Sequence, residues 1–142
     1  MTYAARRPTG YNAIRSYQDI GLETEVMSAA PERLITLLYR GARAAIAQAR
    51  LHLEAGRVAE RGQAISKATR IVDEGLKMGL NREAGGEVAN NLADLYDFIT
   101  RTLLKANLHA DATQLDVADK LLEDLASTWE TSVDPGTNSV PA

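Results

Sequence analysis

The stretch Val88-Ala89-Asn90-Asn91-Leu92-Ala93-Asp94-Leu95-Tyr96-Asp97-Phe98-Ile99-Thr100-Arg101-Thr102-Leu103-Leu104-Lys105-Ala106 decides the fold class. Val88, Leu92, Leu95, Tyr96, Ile99, Leu103 and Ala106 recur mainly in steps of three and four. That spacing puts them on one face of an α-helix and is incompatible with the two-residue period of a strand. Gly85-Gly86 precedes the stretch and reads as a hinge, while Asn107 is a candidate left-handed stop, giving a helix over about 86–107.

The same period extends in both directions. Upstream, Leu34, Ile35, Leu37, Leu38, Ala42, Ala45, Ile46, Ala49 and Leu53 predict a helix over about 30–55. Ser28 and Pro31 suit its start, Glu32 suits the positive end of its dipole, and Gly56 suits its stop. Ile65, Ala68, Ile71, Val72, Leu76 and Leu80 predict a helix over 58–80, ending near Gly79 or Asn81. Gly62 and Gly75 weaken it, each by about 1 kcal/mol relative to Ala. Downstream, Asp111 with Gln114 forms a capping-box pattern for a helix over 112–131, carried by Leu115, Ala118, Leu121, Leu122, Leu125 and Trp129. Short connections make neighbours antiparallel, so the expected architecture is all-α: an up-down four-helix bundle over 28–131. Residues 1–27 read as a mobile N-terminal arm or short helix with apolar Tyr11, Ile14 and Tyr17, and 132–142 as a disordered tail with Pro135, Gly136 and Pro141.

Composition excludes several functions. The chain has 142 residues, 45% hydrophobic and 25% charged, with a net charge of -3 that offers no basic field for nucleic acid. It has no cysteine, which removes disulfides, thiol catalysis and zinc-thiolate sites and fits the cytosol. No apolar run is long enough to insert in a membrane, and Met1–Arg7 leads to no signal-peptide core. A bundle di-metal centre needs His three residues after Glu, but His52 follows Ala49 and His109 follows Ala106. His52 invites comparison with phosphotransfer bundles, but it sits at a helix end without the usual neighbouring lysine. His109 reads as a loop residue. No catalytic residue, metal or cofactor is expected.

An ordered set of motifs carries a resemblance. It comprises Val26-Met27-Ser28-Ala29-Ala30-Pro31, Leu34-Ile35-Thr36-Leu37-Leu38-Tyr39-Arg40-Gly41-Ala42, Ala64-Ile65-Ser66-Lys67-Ala68 and Ile71-Val72-Asp73-Glu74-Gly75-Leu76. Gly85-Gly86-Glu87-Val88-Ala89-Asn90-Asn91-Leu92, Leu95-Tyr96-Asp97-Phe98-Ile99, Leu103-Leu104-Lys105-Ala106-Asn107 and Trp129 complete it. The set, over about residues 11–130, resembles the FliS family of flagellin export chaperones. Arg40 departs from it, since the family often has Asp after that Tyr, and so does the tail after Thr131.

The resemblance implies a cytosolic chaperone that binds the disordered C-terminal segment of flagellin, prevents premature polymerisation and keeps it competent for type III export. It also implies an N-terminal arm, with Tyr17 as the matching position, lying over the free bundle. Surplus apolar helix surface is the expected groove: Ile35, Leu38, Tyr39, Ala42 and Ile46, then Ile65, Ala68 and Val72, then Leu92, Tyr96 and Ile99. Contact with the export apparatus and a monomer or homodimer in the free state are further expectations. The competing readings are a bundle for another flagellar export or regulatory protein, and phosphotransfer at His52.

Overall fold

The computed structural model describes residues 30–135. The expected arm with Tyr11, Ile14 and Tyr17, the helix-start residue Ser28, and the tail from 136 onward lie outside the described residues.

Four helices form among them. Helix α1 spans Pro31–Glu54, with Pro31 in its first turn and Gly56 at φ +73 just beyond its end, as the start and stop chemistry requires. Helix α2 spans Val58–Arg70 and continues as a π-helix over Ile71–Lys77. Helix α3 spans Arg82–His109 and α4 spans Ala112–Ser132.

The termini differ from expectation in instructive ways. Asn81 does not end α2; its side chain accepts from the Ala84 amide and caps the first turn of α3. The Gly85-Gly86 break is a kink inside α3, with Gly86 at φ 53 and ψ -126, conformations open to a residue without Cβ. Asn107 stays helical. Arg61 holds it by its side-chain oxygen and its carbonyl, both at 3.1 Å, and the left-handed position passes to Ala110 at φ 48. Asp111 caps α4 through the Thr113 amide, while its own amide donates to the Ala106 carbonyl instead of to Gln114.

Ion pairs fix the directions. Along α1, Arg40, Arg43 and Arg50 meet Glu130, Asp119 and Asp116 of α4 in descending order, so the two helices are antiparallel. Arg61–Asn107 and Lys77–Asp97 show the same for α2 and α3. Contacts run α2–α1–α4–α3 and back to α2, closing a ring. Its centre is filled by Leu38, Ile71, Ile99, Leu103, Leu115 and Leu122, all fully buried, with Ala42, Ala49, Ala68, Ala106 and Ala118 allowing close backbone approach.

The π-helix has a packing reason. Its wider turn brings Ile71, Val72, Gly75 and Leu76 all to the core, two adjacent pairs that an α-helix would spread around its axis. Gly75 is needed there, because a Cβ at this position would lie 2.7 Å from the Leu38 side chain.

The end of α4 closes on the start of α1. Trp129 Nε1 donates to the Glu32 carbonyl at 2.9 Å, and buried Thr36 donates to Asp134 at 2.6 Å. Residues 132–135, expected as tail, are therefore ordered: Ser132 completes α4 and Asp134 is anchored by the first two turns of α1.

Candidate functional site

Nine of the eleven expected groove residues are sealed inside the bundle: Leu38, Tyr39, Ala42, Ile46, Ile65, Ala68, Val72, Tyr96 and Ile99. Ile35 and Leu92 are half-buried and pack against that core. The nine build the bundle core, and of them Ile65 also reaches the floor of a surface groove. The broad apolar arcs are consumed because each helix in a closed ring must face two neighbours as well as the centre.

The exposed apolar surface lies elsewhere. Phe98, Leu104 and Leu108 of α3 are 44%, 57% and 68% exposed, which places them outside the sealed stripe of the same helix. Leu51, Val58, Met78, Val88, Val117 and Val133 are also exposed. Leu104 had a legible signal: Leu103 occupies the core face, and the next residue is turned by about 100°.

Grooves follow the helix seams among the described residues, and three of them stand out. The α2–α3 groove has a volume of about 570 Å³ and is lined by Ile65, Ser66, Thr69, Arg70, Thr100, Arg101, Leu104 and Asn107. The α1–α4 groove, about 560 Å³, is flanked by Arg43, Glu123 and Glu130. The α1–α2 groove, about 350 Å³, has a floor of Gly41, Ala44, Ala45 and Ala64 with His52, Glu60 and Lys67 around it. Thus His52 shares a groove with a lysine that its own stretch of sequence lacks. Exposed His109 belongs to the last turn of α3, not to the loop that follows.

The α1–α4 seam is ionic. Arg43 is bidentate to Asp119 at 2.9 and 3.2 Å and reaches Glu123 at 3.4 Å, while Arg50 pairs with Asp116. The Asp119 carboxylate raises the Arg43 pKa further above its ordinary value. Arg40, the departure noted above, bonds Glu130 at 2.8 Å and so works inside this seam.

Among the described residues, no group of three His, Cys, Asp or Glu is placed to hold a metal ion. No helix among them is long and apolar enough to cross a membrane.

Comparison with known proteins places these features in context. The family model described as flagellar protein FliS matches residues 13–135. The flagellar secretion chaperone FliS of Salmonella typhimurium is 46% identical over 119 residues, covering 84% of this chain and 88% of that protein. FliSB of Pseudomonas aeruginosa, also a flagellar secretion chaperone, is 39% identical over 118 residues, covering 83% and 93%. Escherichia coli FliS is 34% identical over 119 residues, covering 84% and 88%.

Proposed function

This chain belongs to the FliS family of flagellar proteins, and from that premise we propose that it is a cytosolic export chaperone for flagellin. It binds the disordered C-terminal segment of flagellin, blocks premature polymerisation and delivers the subunit to the flagellar type III export apparatus. Its work is binding and masking, with no covalent chemistry.

The observation that carries the reading is the set of large apolar side chains left outside a well-sealed core, Phe98, Leu104 and Leu108 above all. Single exposed leucines are ordinary on any surface. In a secretion-chaperone family they acquire a use, because an amphipathic guest helix docks apolar anchors along seams between helices. Ordering a disordered guest costs several kcal/mol. Wrapping it over several seams spreads the compensating burial around the bundle. The guest therefore anchors on the outer seams, with the buried residues supplying a rigid support. Tyr11, Ile14 and Tyr17 shield part of this surface until the guest displaces them.

The test is co-purification of the full chain with flagellin and with flagellin lacking its C-terminal segment, followed by amide-exchange mapping on both chains. Binding lost with the segment, and protection along the outer seams, is the expected result. Retained binding without the segment would favour a bundle serving another export or regulatory protein.

A further inference from the structure

Helices α3 and α4 are each capped by the residue directly before them, Asn81 and Asp111. Helix α1 is not: Ala30 at its start has no side-chain acceptor for the amides of the first turn. The start of α1 is held instead from the far end of the sequence. Trp129 Nε1 donates to the Glu32 carbonyl across 97 positions, and Thr36 Oγ1 donates to the Asp134 carboxylate across 98. Arg33 stands 3.6 Å from the same carboxylate. One turn further along α1, the Arg40–Glu130 ion pair at 2.8 Å marks where this closure meets the ionic seam.

The closure is thin. Leu34 is the first buried residue of α1 and Ala126 the last of α4. Beyond Ala126 the apolar hold is Trp129, which is partly buried against the core. Segments with few buried apolar contacts open at a smaller free energy than the whole fold. Parting also leaves no polar group stranded. Thr36 Oγ1 has the Glu32 carbonyl as a second acceptor at 3.4 Å, and Arg33, Trp129 and Asp134 are at the surface, where water can replace their contacts.

We propose that residues 129–134 are a strap that opens as one unit with the first turns of α1, while the ring beyond it stays folded. Whatever draws Trp129 or Asp134 away then also frees residues 31–36, so a contact made at the end of α4 is felt at the start of α1. The device rests on contacts within this chain and stands apart from the chaperone reading.

The experiment is native-state amide exchange on the full chain at rising urea concentration. Two sets of amides report: Leu34, Ile35 and Thr36 on α1, and Val133 and Asp134, which both donate to the Trp129 carbonyl. In the wild-type chain the two sets should share one opening free energy and one shallow urea slope, below those of the core amides of Ile99 and Leu103. Asp134→Ala and Trp129→Phe should each speed exchange of both sets by about tenfold. Asp134→Asn, which keeps an acceptor for Thr36, should stay within about threefold of wild type. Acceleration confined to the α4 set shows that the two ends open separately and overturns the strap. Protection of both sets equal to that of the core in the wild-type chain overturns it without any variant.

Discussion

The hydroxyls of Tyr39 on α1 and Tyr96 on α3 meet inside the bundle at 2.6 Å, each tyrosine almost fully buried. They join the two helices that face each other across the ring. Each hydroxyl is the other's polar partner in an apolar cluster otherwise built of Leu, Ile, Val and Ala, with the buried hydroxyls of Thr36 and Thr102 bonded elsewhere. The pair is therefore a single polar unit, and its cost and benefit belong to both residues together.

Tyr39→Phe strands the Tyr96 hydroxyl, and Tyr96→Phe strands that of Tyr39. Each single change should cost about 1–2 kcal/mol in urea unfolding. The double change removes both polar groups and should cost no more than the worse single. A double variant as costly as the two singles added together would show that the hydroxyls do not act as a pair.

Burial pushes both phenols above their ordinary value, and for Tyr96 the neighbouring Tyr39 adds to the rise. A raised folded-state pKa contributes stability that is complete below the unfolded value and is lost as pH climbs through the folded one. Stability should thus decline above about pH 10, where unfolded tyrosines ionise and these two do not. Denaturation midpoints followed across that range should fall less steeply in the double Phe variant.

Gly75→Ala tests the close packing of the π-helix on α1. A methyl there meets Leu38 Cδ2 at 2.7 Å and Cδ1 at 3.1 Å, and Leu38 has no open side to turn toward. The better helix propensity of Ala returns about 1 kcal/mol, while overpacking costs about 1–3 kcal/mol. A lower melting temperature is expected, partly restored when Leu38→Val makes room.

The ionic seam should be uneven. Arg43→Ala removes a bidentate contact to Asp119 and a second one to Glu123, and should cost about 1 kcal/mol. Arg50→Ala removes more exposed contacts to Asp116 and Glu54 and should cost under about 0.5 kcal/mol. Raising salt should shrink the Arg43 effect, as measured by thermal unfolding.

The sequence made the bundle legible because its signals are local. Pro31 and Gly56 act within one turn of where they stand, and the three-and-four spacing on α3 needs no knowledge of partners. What depended on distant residues was not legible. Asn107 looks like a helix stop until Arg61, 46 positions earlier, is seen to hold it. The π-helix follows from how Ile71, Val72, Gly75 and Leu76 must pack, and neighbouring residues alone do not announce it. Most of the expected groove residues are buried for a geometric reason: a list of apolar positions does not say which are spent on two neighbouring helices. Leu104, which follows core residue Leu103, was the better pointer to the outside.

The closure of Asp134 onto Thr36 also governs how the molecule can be handled. Ala30 and Pro135, the two limits of the described bundle, leave it at one pole, while the turns at 55–57 and 110–111 occupy the opposite pole. The two limits thus share a pole, and the opposite turns carry neither of them. Joining those limits by a short linker and reopening the chain at Gly56 gives a natural layout for a circular permutant.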